Sequence, residues 1–328
     1  MTRRALSVSL LCLMIPAGAG AQVPVYLVQW GSLGSASGQF YYPGGVAIDR
    51  TGNVYVADQV NQRIQKFTST GEFLTQWGSY GYGDGQFRTP SRITVDEQGN
   101  IYVSDYENAR IEKFTSDGTF VAKWGPLPTA GNPVNDAGLC FPGGLAVDAA
   151  GDVLVADRCA NSRIMVYTAS GAFLRMWGGF GTGPGEFVAP SGVAIGAGGV
   201  IYVSDTYNDR IQVFTDAGTY LMEWGRTGAG PGQFDHPSDV FVDSEANVYV
   251  TDADNHRIQK FSRTGGFIAQ WGGPGAGNGQ FNHPESLAVT GDGRVYVADI
   301  YNNRIQVFGP APVPTNRSTW GRLKVAYR

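Results

Sequence analysis

Charged residues are scarce in this chain of 328 residues: Asp, Glu, Lys and Arg make up 16%, against about 25% in ordinary globular proteins. Acids outnumber bases by 28 to 24. An acidic balance disfavours nucleic-acid binding, because neutralising phosphates requires a basic face. Aromatic residues are plentiful at 12%, and few charges together with many aromatic residues exclude intrinsic disorder.

Long apolar runs are also absent. Beyond residues 1–21, no segment reaches the ~18 apolar residues that a membrane-spanning helix needs. Residues 1–21 are typical of a signal peptide, with Arg3 and Arg4, an apolar stretch at 5–15 and a small-x-small cleavage sequence at 19–21. The alternative interpretation of residues 1–21 is a buried N-terminal strand. We expect export to a periplasmic or extracellular location, and cleavage shifts the formal net charge from −4 to −6.

Motifs of common catalytic sites are missing as well. The chain has no P-loop, no Gly-x-Ser-x-Gly elbow and no Cys–His nucleophile arrangement. We therefore assign no catalytic residue and expect no cofactor, with zinc or another divalent metal as the exception to consider.

Glycine and tryptophan, in contrast, are abundant and periodic. Glycine supplies 47 residues, and the seven tryptophans stand at 30, 77, 124, 177, 224, 271 and 320, at spacings of 47, 47, 53, 47, 47 and 49. A repeat of this length without a 3.6-residue period is typical of a propeller.

Each unit contains four short apolar segments separated by turns. In the second unit they are 93–95, 101–103, 110–114 and 120–124, bounded by Gly, Asp and Asn. Six prolines mark the unit starts: Pro43, Pro90, Pro142, Pro190, Pro237 and Pro284. The prediction is an all-β, six-bladed β-propeller of four-stranded antiparallel blades over residues 22–308, followed by a Pro-containing tail at 309–328.

The sixth unit lacks a fourth strand of its own, and an unpaired edge promotes aggregation. The segment 25–30 matches the fourth-strand pattern at 73–77, so we predict that the N-terminal strand closes the ring. The alternative is the tail around Trp320, which Pro310, Pro312 and Pro314 disfavour.

The sequences at 43–49, 52–58 and 61–67 resemble the NHL repeat, and the match recurs in all six units. The resemblance implies the propeller fold but not a function, since NHL propellers include RNA-binding, protein-binding, sensor and lyase members. The repeated trio of Asp58, Asn61 and Arg63 is interpreted as structural, because an asymmetric site requires residues that differ between blades.

The third unit departs most from the others. It has five extra residues in the connection after Trp124 and one after its second strand, and Cys140 and Cys159 lie beside these insertions. Because the first two strands of a blade are adjacent, we predict a Cys140–Cys159 disulfide, the alternative being two buried thiols. Both insertions should lie on one edge of the propeller, called here the long-loop rim.

Residues 139–142 and 159–163 resemble a cysteine-braced blade of the peptidyl-hydroxyglycine amidating lyases, which are secreted propellers that use zinc. That family has a functional tyrosine where this chain has Arg158. It often carries histidine just after the blade proline, where this chain has Gly44, Ser91, Gly143, Ser191, Ser238 and Glu285. The catalytic constellation therefore does not transfer.

Residues that differ between blades are the candidate ligand contacts. Arg92 and Asp239 replace glycines at strand entries, while Arg158, Tyr207 and Tyr301 follow the repeated aspartates. These five are interpreted as ligand-binding residues on the long-loop rim, the alternative being scattered surface residues.

The three histidines are the candidate metal ligands. His236 and His283 directly precede blade prolines, and His256 lies in the loop between the second and third strands of blade five. Zinc requires three or four such ligands, and Asp235, Asp239, Asp254 or Glu285 could add a carboxylate. Simple hydrogen bonding in the turns is the alternative.

Two functions remain open. The first is an exported, non-catalytic, monomeric propeller that binds a protein, peptide or glycan on the long-loop rim. The second is a metal-dependent lyase or hydrolase of the amidating-lyase type.

Overall fold

The computed structural model describes residues 23–125, 138–160 and 162–310. The described chain forms 24 β-strands and three short 3-10 turns, and the strands make six four-stranded antiparallel sheets. The predicted six-bladed propeller is confirmed. Residues 1–21, most of the insertion after Trp124 and nearly all of the tail lie outside the described residues. No helix in the described part is long and apolar enough to cross a membrane.

The strands follow the predicted order, with the innermost strand of each blade first along the chain. Blade one contains β2 (Pro43–Ile48), β3 (Val54–Asp58), β4 (Arg63–Phe67) and β5 (Phe73–Trp77). Blade two contains β6 (Pro90–Val95), β7 (Ile101–Asp105), β8 (Arg110–Phe114) and β9 (Phe120–Trp124). Blade three contains β10 (Pro142–Val147), β11 (Val153–Asp157), β12 (Arg163–Tyr167) and β13 (Phe173–Gly178).

The second half repeats this arrangement. Blade four contains β14 (Pro190–Ile195), β15 (Ile201–Asp205), β16 (Arg210–Phe214) and β17 (Tyr220–Trp224). Blade five contains β18 (Pro237–Val242), β19 (Val248–Asp252), β20 (Arg257–Phe261) and β21 (Phe267–Gly272). Blade six contains β22 (Pro284–Val289), β23 (Val295–Asp299), β24 (Arg304–Gly309) and the N-terminal β1 (Val25–Trp30).

The N-terminal strand closes the ring, as predicted. β1 pairs antiparallel with β24, and Trp30 lies opposite Ile305 as Trp77 lies opposite Ile64 in blade one. The first and last strands of the propeller are thus hydrogen-bonded to each other, and β24 has no open edge. The alternative closing segment around Trp320 lies outside the described residues.

The periodic tryptophans and glycines form matched pairs between blades. The Trp77 ring packs on Gly118 in the last turn of the next blade, and a Cβ on Gly118 would lie 2.6 Å from the ring. Gly118 also has a φ of +89°, which favours glycine. The same pairing joins Trp30 to Gly71, Trp124 to Gly171, Trp177 to Gly218 and Trp224 to Gly265. The repeat in the sequence is therefore a repeat of inter-blade packing.

Buried Asp–Arg pairs hold the connections between blades. In blade one, Asp58 accepts the Tyr41 N–H at 2.7 Å and the Arg63 Nε–H at 2.8 Å. The Arg63 guanidinium also donates to carbonyl groups of Ser35, Ala36 and Gln39 in the preceding connection. All six blades have this pair, in agreement with the structural interpretation of the repeated aspartate and arginine.

One blade carries an acid beside this pair. Blades one, four, five and six have a buried glutamine two residues after the arginine, and Gln65 donates from Nε2 to the Gln39 carbonyl and to Asp58. Blade two has Glu112, whose Oε2 accepts the Gly85 N–H at 2.8 Å. Burial and the Asp105 carboxylate raise the pKa of Glu112 to about 7, although Arg110 and Lys123 oppose the shift. A carboxylate is poorly suited to a place where glutamine donates two hydrogen bonds.

Glu112→Gln is therefore expected to stabilise the protein in a pH-dependent way. The pKa of Glu112 is higher in the folded protein than its ordinary value of 4.5, so the folded state loses stability as pH rises from about 4.5 to 7. Urea unfolding at pH 8 should show a gain of about 3 kcal/mol for the variant, and no gain at pH 4. Exposed Glu97→Gln is the control, and equal gains at both pH values would contradict the argument.

The predicted disulfide is present between Cys140 and Cys159, with a Cα–Cα distance of 5.4 Å. It links the segment before β10 to the loop after β11. Asp157, which belongs to the blade-three Asp–Arg pair, accepts the N–H groups of Cys140 and Phe141 at 3.1 Å each. The disulfide thus adds a covalent link where the other blades rely on hydrogen bonds alone.

Replacing both cysteines with serine should lower the free energy of unfolding by about 3 kcal/mol, because closure of a loop of this size restricts the unfolded chain. Chemical unfolding of the oxidised protein and the double variant measures the difference. Reduction of the unmodified protein should reproduce the loss. Identical unfolding midpoints for all three samples would show that the bridge adds nothing to stability.

Candidate functional site

The connections between blades and the loops after the second strands meet on one edge of the propeller, as expected. The loop after each second strand hydrogen-bonds to the segment that precedes the inner strand of the same blade. Tyr106 N–H donates to the Thr89 carbonyl at 2.9 Å, Arg158 to Phe141 at 3.1 Å and Asp254 to Asp235 at 3.2 Å. The long-loop rim is thus a continuous surface that surrounds one end of the central channel.

Aromatic pairs occupy every second seam of this rim. Tyr301 of blade six contacts Tyr42 at a centroid distance of 5.4 Å, and Tyr207 of blade four contacts the His236 ring at 5.0 Å. Between blades two and three, Tyr106 stacks on Phe141 at 4.9 Å. Tyr207, Tyr301 and Phe141 are 56%, 49% and 45% exposed, so each seam presents an aromatic surface to solvent.

Sequence reasoning identified Tyr207 and Tyr301 as contact residues but missed Tyr42, the partner of Tyr301, and Phe141, the partner of Tyr106. A signal for them exists in the sequence. The residue before each blade proline is aromatic or histidine at four of the six starts, as Tyr42, Phe141, His236 and His283, and small at Thr89 and Ala189.

Arg92 lies at the centre of the rim, across the end of the channel. It starts from blade two and donates to the Gly44 carbonyl of blade one, the Ser238 carbonyl of blade five and Glu285 of blade six, at 2.9, 3.2 and 2.7 Å. It is only 5% exposed. Below it, inner-strand residues such as Val46, Leu145 and Val193 line a cavity of about 260 Å³.

Asp239 and Glu285 balance the charge of Arg92. Asp239 is buried, and its carboxylate accepts N–H groups of Val240 and Leu287 at 3.0 and 3.2 Å. Burial would raise the pKa of Glu285, but the Arg92 guanidinium and the His283 imidazole outweigh it and lower that pKa to about 2. Arg92 and Asp239 thus lie at the rim centre as predicted, but their polar groups are bonded to other residues and they expose little surface.

A chain of acids and imidazoles runs from this centre toward solvent. His283 lies between Glu285, at 3.4 Å from Nδ1, and Asp254, at 3.2 Å from Nε2. Asp254 in turn contacts His236 Nδ1 at 2.6 Å, and Asp235 lies 3.2 Å from the same nitrogen. Burial opposes the charged form of His283, yet the two carboxylates outweigh it and raise its pKa.

His256 has a different position from the other two histidines. Its Nδ1 accepts the backbone N–H of His283 at 3.0 Å. Asp209, Asn303 and Ser162 occupy the same place in their blades and accept the N–H of His236, Tyr42 and Ala189. The His256 side chain therefore links blade five to the segment that leads into blade six. The three histidines do not converge on one point, and the histidine-containing group with metal-compatible spacing in the described chain is Asp235, His236 and Asp254.

Arg158 is half-buried beside the start of β10, the inner strand of blade three. A Cβ on Gly143 would lie 3.3 Å from its Cδ, so its side chain covers the start of the inner strand. It occupies the place at which the amidating lyases carry a functional tyrosine.

Comparisons with known families agree with this architecture. The family model described as NHL repeat matches residues 40–67, 87–114, 139–167 and 281–308. A second, described as a 6-bladed beta-propeller, matches residues 196–271. No curated protein matches the chain significantly.

Solved structures show the same fold at low identity. A catalytically inactive virginiamycin B lyase from Staphylococcus aureus with quinupristin is 17% identical, with a TM-score of 0.57, covering 88% of this chain and 87% of that one. A gluconolactonase from Xanthomonas campestris is 13% identical, with a TM-score of 0.64 and coverages of 89% and 98%. A chain of the nidogen–laminin complex is 19% identical, with a TM-score of 0.53 and coverages of 70% and 79%. These likenesses concern the fold alone.

Removing Arg92 should destabilise the propeller, because Glu285 would remain buried without its cation. Arg92→Ala is expected to cost about 3–5 kcal/mol in urea unfolding. Adding Glu285→Gln should recover part of that loss, since the second change removes the buried charge. Arg88→Ala is the control, because Arg88 forms an exposed pair with Glu107. If Arg92→Ala unfolds at the same urea concentration as the control, the rim centre is not held by this pair.

Proposed function

Since this chain is a six-bladed β-propeller that carries NHL repeats, we propose that it is an exported, non-catalytic binding protein whose long-loop rim takes up a protein, peptide or glycan. The observation that carries the proposal is the set of exposed aromatic pairs at three alternate seams. They surround a charged centre, so a ligand lying across the rim meets apolar contacts at several points and polar groups between them.

Aromatic side chains suit such a surface. Tyrosine offers a large rigid face for apolar contact and a hydroxyl group for hydrogen bonding, and it loses little conformational entropy on binding. The pairs at Tyr301–Tyr42 and Tyr207–His236 already restrict one another's ring orientation. A ligand therefore meets rings that are largely preorganised.

The residues at the rim centre have a supporting role in this proposal. Arg92 and Asp239 are buried and engaged with neighbouring groups, whereas Tyr207 and Tyr301 are exposed. We assign direct ligand contact to Tyr207, Tyr301 and Arg158. Arg92 and Asp239 fix the inner strands on which those contacts depend.

Export is part of the proposal. The disulfide between Cys140 and Cys159 is consistent with an oxidising compartment, and the sequence of residues 1–21 has the features of a signal peptide. A ligand outside the cytoplasm, such as a surface polymer or a secreted protein, fits this location.

The test begins with peptide and glycan arrays, and binders are then measured by calorimetry. A triple variant, Tyr42→Ala, Tyr207→Ala and Tyr301→Ala, should weaken binding at least tenfold, because stacking contacts at two seams are lost. The control variant carries Tyr80→Ala and Phe180→Ala, which are 62% and 68% exposed in connections between blades.

Equal affinity in both variants would exclude the aromatic seams as the binding surface. Mass spectrometry of the recovered ligand addresses catalysis. An unchanged ligand agrees with a binding protein, and a cleaved one would favour the lyase or hydrolase alternative.

A further inference from the structure

We propose that Asp235, His236 and Asp254 bind a divalent transition-metal ion of the zinc class on the rim of blade five. The proposal does not depend on the proposed ligand. It differs from the metal site expected from sequence, because two aspartates take the places of His256 and His283. It also differs from the zinc site that the amidating-lyase resemblance implies, since the positions after the blade prolines hold no histidine.

The three ligand atoms are spaced as a small ion requires. Asp235 Oδ1 lies 3.2 Å from His236 Nδ1, and Asp254 Oδ2 lies 2.6 Å from the same nitrogen. All three atoms are within 4.8 Å of one another. Ligand atoms around a tetrahedral zinc ion are roughly 3.3 Å apart, given metal–ligand distances of about 2.1 Å. The two separations from His236 Nδ1 depart from this spacing by about 0.1 and 0.7 Å, so small side-chain adjustments around His236 would admit the ion.

The backbone holds these residues in place independently of any ion. The Asp254 N–H donates to the Asp235 carbonyl at 3.2 Å, which joins the two loops that supply the ligands. His236 has a φ of +51°, and its N–H donates to Asp209 at 2.8 Å. The Tyr207 ring contacts the His236 ring edge-to-face and restricts its rotation. The site is thus preorganised.

Groups behind the ligands orient them as well. The second oxygen of Asp254 lies 3.2 Å from His283 Nε2, and His283 Nδ1 lies 3.4 Å from Glu285, which pairs with buried Arg92. Carboxylate and histidine ligands of metals are commonly oriented by such outer contacts, and losing one costs about 10–100-fold in affinity. His283 is therefore a positioning residue.

The donor set selects the class of ion. One imidazole nitrogen and two carboxylate oxygens favour zinc, cobalt, nickel or copper over magnesium and calcium, which prefer oxygen alone. The side chains of Asp235, His236 and Asp254 are 46%, 40% and 40% exposed, so the ion would keep solvent-facing positions. Three protein ligands with an open position are typical of sites at which an ion contacts a further molecule.

The experiment measures metal binding to the full chain, produced through an exporting host without an affinity tag and dialysed against chelator. Calorimetric titration with Zn²⁺ should give one site per chain, and Mg²⁺ and Ca²⁺ should not compete. His236→Ala should weaken Zn²⁺ binding at least 100-fold. Asp254→Asn should weaken it at least tenfold, and His283→Gln by about 10–100-fold.

The matched control is His256→Asn. In blade six, Asn303 at the equivalent position accepts the N–H of Tyr42. The variant should therefore keep a hydrogen bond to the His283 N–H and bind Zn²⁺ as the unmodified chain does. The Co²⁺ absorption spectrum provides a second readout, because the intensity of its visible bands reports the coordination number and geometry of the bound ion. Circular dichroism and thermal unfolding verify that each variant is folded.

Three results would overturn the proposal. The first is the absence of saturable Zn²⁺ binding at millimolar concentration, which would show that the cluster is an ion-paired network alone. The second is equal binding by the unmodified chain and His236→Ala, which would place the metal elsewhere. The third is loss of binding in His256→Asn with no loss in Asp254→Asn, which would favour the three-histidine site expected from sequence.

Discussion

The buried Asp–Arg pair is the interaction on which the rest of this propeller depends. Ion pairs inside a protein are costly unless every polar atom finds a partner. Here the guanidinium group donates to the aspartate and to carbonyl groups of the incoming connection, as Arg257 does with Asp252, Ala229 and Gly230. Because each aspartate also accepts N–H groups just before the inner strand, the pair fixes the loops that form the rim. The rim residues therefore project from a rigid frame.

The fold could be predicted from sequence because its stabilising contacts recur every 47 residues. Trp77 and Gly118 are such a contact, and so is the Trp30 position that identifies the closing strand. The site was only partly predictable, because its contacts cross between blades. Arg92 donates to Glu285, which is 193 residues away in the chain, and His256 accepts the N–H of His283, which is 27 residues away. The pattern within one repeat carries no information on such pairs.

The rim and the ring axis are joined by one chain of contacting acidic and basic side chains, and this links the stability of the ring to its outer surface. Arg92 spans the channel end, Glu285 and His283 follow it outward, and Asp254 reaches the solvent-exposed His236. Neighbouring members lie 2.6 to 3.4 Å apart, so a charge added or removed at the outer end changes the electrostatic environment of the next group inward. The inner contact between Arg92 and Glu285 is buried and only weakly screened by water, whereas the outer contact between Asp254 and His236 is exposed and more strongly screened. A cation or charged ligand bound on blade five, as proposed above, would act through these contacts on the residues that join blades one, two, five and six, so the same groups stabilise the ring and shape its outer surface.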